Sequence, residues 1–286
     1  MTHEPVVISS AAWMRRFCEA RRAEGRRIAF VPTMGYLHRG HLRLVERAAE
    51  LGDCVVVSIF VNPMQFGPSE DLSRYPRDLE GDLEKLSDHP VQAVFCPPAQ
   101  ELYPAGFQTR VRVEGVSAPL CGVSRPGHFD GVATVVLKLF HIVCPAVAVF
   151  GLKDYQQFRV IRTMVRDLDL GVEVVGCETV REPDGLAMSS RNVYLGPEER
   201  AAAVVLSRAL GEAEDGIRAG RLTSGPEVER FLTGRIGAEP LARVDYASCR
   251  DADTLGPVDA VTAPVVLALA VFFGRTRLID NRVVSV

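Results

Sequence analysis

The alternation of short β-branched runs with helical patterns over residues 1–179 constrains the fold most strongly. Strand-like runs occur at residues 28–31, 55–61, 93–96, 146–151 and 172–176. Between them, apolar residues recur at helical spacing in segments 41–51, 77–87, 130–143 and 155–168. This alternation is typical of a parallel sheet covered by helices. We therefore predict a doubly wound α/β domain over residues 1–179.

The pattern changes after Val180, where a smaller domain over residues 180–286 is predicted. A long helix is expected to begin at Gly196-Pro197 and end near Gly220, and a shorter one to begin at Ser224-Gly225-Pro226. Residues 244–247, 265–273 and 277–281 are typical of strands, and the last two form a predicted hairpin turning at Gly274-Arg275. The C-terminal domain is thus expected to be α+β.

Composition excludes several classes of function. Of the 286 residues, 47% are hydrophobic, which is sufficient for a large core. The net charge of -3 provides no positive electrostatic field that would attract a nucleic acid. The seven cysteines are scattered singly, as expected in a reducing compartment. The N-terminus lacks a signal-peptide pattern and no apolar stretch can span a bilayer. We therefore expect a cytoplasmic protein with no membrane or nucleic-acid partner.

The first segment with chemical content follows the run at residues 28–31. It reads Phe30-Val31-Pro32-Thr33-Met34-Gly35-Tyr36-Leu37-His38-Arg39-Gly40-His41. Open α/β sheets bind ligands where a strand passes into a helix. Gly35 and Gly40 allow a bulky anion to approach the backbone. The N–H groups at the start of a helix can donate hydrogen bonds to phosphate oxygens. We predict a nucleotide-phosphate site faced by His38 and His41.

Two histidines three residues apart also suit a metal ion, and a histidine on a helix is often only structural. Glycines at a strand-to-helix junction favour phosphate instead. A catalytic zinc site would normally add acidic or thiolate ligands nearby, and the segment contains none. We therefore expect no metal ion bound by the protein alone.

Two further segments suit phosphate. In Met188-Ser189-Ser190-Arg191-Asn192, hydroxyls and a guanidinium can surround a triphosphate, although such residues are also common in solvated loops. In Gly151-Leu152-Lys153-Asp154, the lysine provides a positive charge. The aspartate there could hold a ribose or simply cap the next helix.

A fourth segment delivers amide side chains from a buried strand into a turn. It reads Ser58-Ile59-Phe60-Val61-Asn62-Pro63-Met64-Gln65-Phe66-Gly67. Asn62 and Gln65 can each donate to and accept from a hydroxy acid. A turn capped by Asn-Pro would explain Asn62 but not Gln65, so we predict a binding site for a small hydroxy acid.

The His-x-Gly-His run and the Ser-Ser-Arg loop resemble the nucleotide signatures of adenylate-forming nucleotidyltransferases, which include class I aminoacyl-tRNA synthetases. Taken together, the four segments are similar to the pantothenate synthetase family, the pantoate–β-alanine ligases. The four segments carry this resemblance together with Arg125-Pro126-Gly127-His128-Phe129-Asp130-Gly131-Val132 and Tyr155-Gln156-Gln157. It covers the first two thirds of the chain, and the last third is less diagnostic.

The resemblance implies a Rossmann-like doubly wound domain that binds substrates, a C-terminal lid domain and a homodimer. His41 would be the catalytic histidine, assisted by His38, Lys153 and Arg191. Gln65 and Gln157 would hold pantoate, with Gln65 also near β-alanine and Asn62 beside it. The implied ATP site comprises Met34, Gly35, Tyr36, Leu37, His38, Arg39, Gly40, His41, Gly151, Leu152, Lys153, Asp154, Val180, Met188, Ser189, Ser190 and Arg191.

The implied reaction has two steps. The pantoate carboxylate attacks the α-phosphorus of ATP to give pantoyl adenylate and pyrophosphate, and the amine of β-alanine then displaces AMP. No cysteine or serine lies in a nucleophile motif, so activation of the substrate fits better than an acyl-enzyme. Mg²⁺ is expected on the triphosphate, where it neutralises the leaving pyrophosphate.

Two other kinds of protein would share the phosphate-binding segments. A plain nucleotidylyltransferase would transfer a nucleotide to a phosphorylated acceptor, but the amides of Asn62, Gln65 and Gln157 fit a small hydroxy acid better. A nucleotide-sensing protein would keep the pocket without the chemistry, yet His38 and His41 are intact. Pyrophosphate release that requires pantoate would separate these alternatives.

Overall fold

The computed structural model describes residues 4–68 and 70–285, which divide into two compact units. The first unit contains the described residues up to Val113, together with Arg125–Leu152 and Gln157–Glu178. The second contains Glu114–Ser124, Lys153–Gln156 and the described residues from Thr179 onward. The domains predicted from the sequence were contiguous, whereas each of these units is assembled from three segments.

Six parallel strands form the sheet of the first unit, which confirms the predicted parallel arrangement, and five of the six were predicted. Their order is β1-β4-β3-β2-β5-β6. The sheet grows outward in opposite directions from β2 and β5, so its topological switch point lies between these two strands. The strands are β1 (Val6–Ile8), β2 (Ile28–Thr33), β3 (Cys54–Ile59), β4 (Val91–Phe95), β5 (Val147–Gly151) and β6 (Glu173–Cys177).

Helices connect these strands and cover the sheet. Leu44, Val45 and Ala48 lie at helical spacing on one face of the second helix and are buried in a core shared with the strands. Phe30 of β2 makes an edge-to-face ring contact with Phe140 at 6.4 Å between centroids. The helices up to residue 167 are α1 (Ala11–Ala23), α2 (Arg39–Leu51), α3 (Leu79–Ser87), α4 (Ala99–Leu102), α5 (Cys121–Ser124), α6 (His128–Val143) and α7 (Tyr155–Asp167), of which α5 belongs to the second unit.

The predicted elements of this unit are confirmed to within two residues at each end. The sequence analysis missed β1 and α1, which precede the first predicted strand. β1 has only three residues and exposes Val6 and Val7, and α1 buries only Met14 and Cys18 among many charged residues. Such short or weakly amphipathic segments carry little periodic signal.

The second unit contains an antiparallel sheet in the order β7-β8-β9, which confirms the predicted α+β character. β8 coincides with the predicted strand and turns at Gly274 into β9. Leu210 and Leu232, from two of its helices, are fully buried in a core shared with β8. The elements are α8 (Pro197–Ala202), α9 (Val205–Arg218), α10 (Gly225–Gly237), β7 (Ala242–Asp251), β8 (Val265–Phe273) and β9 (Thr276–Val284).

The prediction of one long helix from Gly196 to Gly220 was wrong, because α8 and α9 are separate. At the break, Val204 N–H bonds to the Ala201 carbonyl and Leu206 N–H to the Ala203 carbonyl, so the chain tightens into i→i+3 turns. None of the helices in the described part of the chain is both long and apolar enough to cross a bilayer.

Candidate active site

The turn between β2 and α2 is held by a carboxylate from another helix. Asp82 of α3, which is 1% exposed, accepts hydrogen bonds from Tyr36 N at 2.7 Å and Leu37 N at 2.6 Å. Gly35 has φ = 82°, and a Cβ there would lie 2.8 Å from Ile59 Cγ2. These contacts hold the turn, and Gly35 suits it because of both its φ angle and its close packing.

The two histidines at the start of α2 cap that helix with their side chains. Gly40 N donates to His38 Nδ1 at 3.1 Å, and His38 N donates to His41 Nδ1 at 3.3 Å. The sequence predicted that such N–H groups donate to phosphate oxygens, whereas these two donate to imidazole nitrogens. In a neutral imidazole whose Nδ1 accepts, the ring hydrogen lies on Nε2. We therefore assign Nε2 as the donor of both rings.

The side chain of Asn62 is saturated by partners within the first unit. Its Nδ2 donates to Gln65 Oε1 at 3.0 Å and to the Gly131 carbonyl at 3.1 Å. Its Oδ1 accepts from Met64 N at 3.3 Å and from the Tyr103 hydroxyl at 2.8 Å. Both hydrogens and both lone pairs of the amide are thus used, and these bonds fix the orientation of the turn.

Gln65 connects this turn to the turn between β2 and α2. Its Nε2 lies 3.2 Å from Met34 Sδ, and its Oε1 accepts from Asn62. A Cβ on Gly131 of α6 would lie 2.4 Å from the Met64 carbonyl oxygen and 2.7 Å from Gln65 N. The absence of a side chain at Gly131 is therefore what lets α6 pack directly against the turn that carries Gln65.

A charged cluster fixes the other side of Gln65. Arg125 forms a bidentate pair with Glu70 at 2.5 and 2.7 Å, and its Nη2 donates to the Gln65 carbonyl at 3.3 Å. His128 Nδ1 lies 2.8 Å from the same carbonyl, and Gly67 N donates to Glu70 at 3.1 Å. The sequence analysis quoted the Arg125-to-Val132 run only as part of a resemblance. Its structural role is to clamp the turn.

Two carboxylates near these turns have shifted pKa values. Burial raises the pKa of Asp82 above its ordinary value, although the N–H groups of Leu37 and Tyr36 act against the shift. Burial also acts to raise the pKa of Glu70, but the hydrogen bonds and charge of Arg125 outweigh it and hold that pKa below the ordinary value.

The segment after β5 forms a single 3₁₀ turn, Leu152–Asp154. The predicted ATP residues divide here, with Gly151 and Leu152 in the first unit and Lys153 and Asp154 in the second. Lys153 Nζ lies 3.9 Å from Asp154 Oδ2.

The two glutamines that begin α7 have different surroundings. Gln156 is buried, and its Nε2 donates to the Val116 and Pro119 carbonyls at 3.0 and 2.6 Å. Its Oε1 accepts from Cys121 N at 3.0 Å. Gln156 therefore holds the segment before α5, whereas Gln157, the predicted pantoate ligand, is half-buried in the first unit.

The predicted ATP residues after Val180 follow a small hairpin in the second unit. Arg181 forms a bridge with Ala187, and Met188 N donates to the Val180 carbonyl at 3.0 Å. The chain then enters a 3₁₀ helix, Ser190–Tyr194, which Ser189 caps by accepting from Arg191 N at 3.2 Å. Val180 and residues 188–191 thus belong to one hydrogen-bonded structure.

Each unit therefore brings together part of the predicted site. The first collects Met34, His38, His41, Gln65 and the segment ending at Leu152, and the second collects Lys153, Asp154, Val180 and residues 188–191. The sequence analysis missed Asp82, whose only signal was an acid on the buried face of an amphipathic helix. Within residues 4–68 and 70–285, no group of three or more His, Cys, Asp or Glu could hold a metal ion.

Comparison with known proteins identifies relatives over almost the whole chain. The family model described as pantoate-beta-alanine ligase matches residues 6–283. The pantothenate synthetase of Pelotomaculum thermopropionicum is 53% identical over 280 residues, which are 98% of this chain and 99% of that protein. The similarity therefore extends through the C-terminal third, which the sequence analysis regarded as less diagnostic.

Solved structures show the same similarity. A crystal structure of pantothenate synthetase from Thermus thermophilus is 50% identical, with a TM-score of 0.91 over 97% of this chain and 98% of that chain. A pantoate-beta-alanine ligase from Francisella tularensis, solved with beta-gamma ATP and beta-alanine, is 31% identical. Its TM-score is 0.76, over 97% of each chain.

Replacing Glu70 by Gln tests the clamp on the Gln65 turn. At pH 7 we expect Glu70→Gln to lower the free energy of unfolding by about 1–3 kcal/mol, because Arg125 loses a charged partner. The lowered pKa of Glu70 stabilises the folded protein above the ordinary carboxyl value of 4.5. This stabilisation declines as pH falls below 4.5 and is gone below the folded-state pKa, so the difference between the two proteins should shrink over that range.

Urea unfolding of both proteins between pH 7 and pH 4 measures this difference. Glu173→Gln is the matched control, because its ion pair with Arg27 is exposed, and we expect an effect of about 0.5 kcal/mol or less. An equal loss for Glu70→Gln at pH 7 and pH 4 would show that the ion pair is not responsible.

Proposed function

Because this chain belongs to the pantoate-beta-alanine ligase family, we propose which of its residues carry out each part of the reaction. The enzyme condenses pantoate with β-alanine, using ATP, to give pantothenate, AMP and pyrophosphate through a pantoyl adenylate. ATP is therefore a substrate and not a resident cofactor. The proposed residues act by alignment and charge stabilisation, and no acyl-enzyme is required.

The observation that best supports this assignment is the contact between Gln65 and Met34, 3.2 Å apart. It joins the proposed pantoate residue to the turn proposed to hold the nucleotide, and both follow neighbouring parallel strands. A carboxylate held by Gln65 would then lie beside the phosphates of the ATP that it must attack. Orientation of this kind can supply roughly 7–11 kcal/mol in favourable cases.

We assign the phosphates of ATP to the turn at residues 34–41. Because the Nδ1 atoms of His38 and His41 accept from the backbone, each ring presents an Nε2–H donor. Such donors stabilise charge that develops on a phosphate oxygen as pyrophosphate leaves. His41 is the proposed catalytic histidine, and His38 both fixes the start of α2 and donates to the nucleotide.

We assign pantoate to Gln65 and Gln157, with β-alanine also near Gln65. An amide can accept from the pantoate hydroxyls and donate to its carboxylate, whereas a charged side chain could do only one of these. Because its four hydrogen-bonding positions are used, Asn62 is proposed to orient Gln65 and not to contact the substrate itself.

The second unit provides the remaining proposed residues. Lys153 and Arg191 are proposed to neutralise the negative charge of the triphosphate. Lys153 would do so with a compact ammonium group on a flexible side chain, and Arg191 with the several N–H donors of its planar guanidinium. Ser189 and Ser190 would add hydroxyl donors, and Asp154 and Val180 would complete the nucleotide site. Mg²⁺ is proposed to enter with ATP, held through phosphate oxygens, and to neutralise the leaving pyrophosphate.

Replacing His41 tests the assignment of the phosphate turn. We expect His41→Ala to slow single-turnover formation of pantoyl adenylate by about 10²–10³-fold, because a preorganised donor is lost. His41→Asn keeps an acceptor for His38 N, so it separates the loss of Nε2 from the loss of the cap. Arg43→Ala on the same helix is the control, since its side chain is exposed and pairs with neighbouring glutamates. Adenylate formation at the wild-type rate in both His41 variants would disprove the role.

Replacing Gly131 tests the pantoate assignment without touching a substrate-binding side chain. A Cβ at this position would lie 2.4 Å from the Met64 carbonyl oxygen, so the turn with Gln65 must move. We expect Gly131→Ala to lower kcat/KM for pantoate by about 10–100-fold and to change the KM for ATP much less. Pantoate-dependent pyrophosphate release measures both constants.

The control for that experiment is Gly234→Ala in α10, where nothing lies within 4 Å of the added Cβ. The same chemical change should there leave both constants within about twofold. An unchanged pantoate dependence in Gly131→Ala would remove Gln65 and its turn from the pantoate site.

We further propose that the enzyme is a cytoplasmic homodimer. The family resemblance supports the dimer, and the seven singly spaced cysteines fit a reducing compartment. Light scattering of the purified protein should give twice the mass of one chain at micromolar concentration. A mass equal to one chain over that range would contradict the dimer.

A further inference from the structure

We propose that Asp280 and Asn281, neighbours on β9, are positioning residues for the adenylation step. Asn281 holds the main chain at Lys153, and Asp280 holds the base of the hairpin that leads into Ser189 and Arg191. Both contacts lie within the second unit. The inference rests on the roles proposed above for Lys153 and Arg191, and it extends the active machinery into the C-terminal sheet.

Asn281 anchors the 3₁₀ turn that carries Lys153. Its Nδ2 donates to the Lys153 carbonyl at 2.7 Å, and the side chain is buried. Its own backbone N–H donates to Asp280 Oδ1 at 2.8 Å, which ties the two neighbours together. A carbonyl fixed in this way sets the position from which the Lys153 side chain extends, and only a donor at residue 281 can make the bond.

Asp280 anchors the hairpin that precedes the Ser189 loop. Its carboxylate accepts hydrogen bonds from Arg181 Nη1 at 2.7 Å and from Nη2 at 2.9 Å. The side chain of Asp280 is only 1% exposed. Arg181 Nη1 also donates to the Gly185 carbonyl at 3.0 Å, so the guanidinium closes the hairpin from inside. The position of Met188, which directly follows the bridge between Arg181 and Ala187, depends on this closure.

Stability alone does not explain such a pair of residues. A buried ion pair is weak evidence for stability, because apolar side chains of similar volume are often as stabilising. Here two consecutive polar residues contact two chain segments, and both segments carry residues assigned to the triphosphate. Successive side chains of a strand point to opposite faces, so one rigid strand can serve both segments. Sites built on strands hold their geometry more accurately than sites on loops alone.

The neighbouring residue Arg282 offers a matched control. It lies on the same strand and pairs with Glu214 of α9 at 2.6 Å, not with Lys153 or Arg181. Arg282→Ala therefore removes an ion pair from β9 without altering either proposed anchor. Thermal unfolding of every variant shows how much stability each change removes.

The first test replaces Asn281 by Asp, which keeps the shape but has no N–H to donate. We expect the single-turnover rate of pantoyl adenylate formation to fall about 10–100-fold, because small misplacements of a reacting geometry have effects of this size. Arg282→Ala should stay within about twofold of wild type. A wild-type rate in Asn281→Asp, or an equal loss in Arg282→Ala, would overturn the proposal.

A double-mutant cycle with Lys153→Ala distinguishes positioning from a general structural effect. If Asn281 acts through Lys153, the combined variant should be no slower than Lys153→Ala alone. A further 10–100-fold loss in that background would overturn the inference for Asn281 and leave the role of Lys153 intact. A wild-type rate in Lys153→Ala would instead overturn the proposed role of Lys153, and this inference with it.

Asp280→Asn tests the second anchor. The variant keeps the side-chain shape but loses the charge that binds Arg181, so the hairpin before the Ser189 loop is less firmly held. We expect the KM for ATP to rise about tenfold, with a smaller change in kcat, because the change acts on nucleotide binding. An unchanged KM for ATP in a folded Asp280→Asn enzyme would overturn the proposal for Asp280.

Discussion

Parallel pairing of β2 with β3 on one side and β5 on the other is the constraint on which the first unit depends. Parallel strands end at the same edge of a sheet, so the turns that follow them are neighbours whatever their separation in sequence. The pairing of Thr33 with Ile59 brings the turn between β2 and α2 beside the turn of Asn62 and Gln65. β5 ends on the other side of β2 and delivers Gly151 to the switch point, where open α/β sheets bind ligands.

Buried polar groups fix those turns because each has a partner. An unpaired buried amide or carboxylate would be costly, so polar residues inside a protein persist where hydrogen bonds satisfy them. Asp82 accepts from two N–H groups of the turn between β2 and α2, and Asn62 makes four hydrogen bonds around Gln65. The pair of Glu70 and Arg125 closes the other side of the same turn. The result is a preorganised site, which suits a reaction that depends on alignment.

In the second unit, the small antiparallel sheet fixes the position of other chain segments, as the parallel sheet does in the first unit. Its central strand, β8, is almost entirely buried and packs with α9 and α10 into a separate core. β9 adds two polar residues, Asp280 and Asn281, to that apolar sheet. Asn281 donates to the Lys153 carbonyl, and Asp280 pairs with Arg181 in the hairpin after Val180. These contacts join segments that are far apart along the chain, so the local sequence of the C-terminal third does not reveal them.

The sequence by itself determined the α/β class, the longer strands and most of the longer helices of the first unit, and the chemical character of each strand-end segment. These follow from local periodicity and from residue type, which are both present in a short window. It did not determine the break between α8 and α9, the partition of the Gly151-to-Asp154 segment between units, or the saturation of Asn62. Tertiary structure decided those, because a polar group's partners are known only once distant residues meet. Asp82, for example, lies 45 residues from the Leu37 N–H that donates to it.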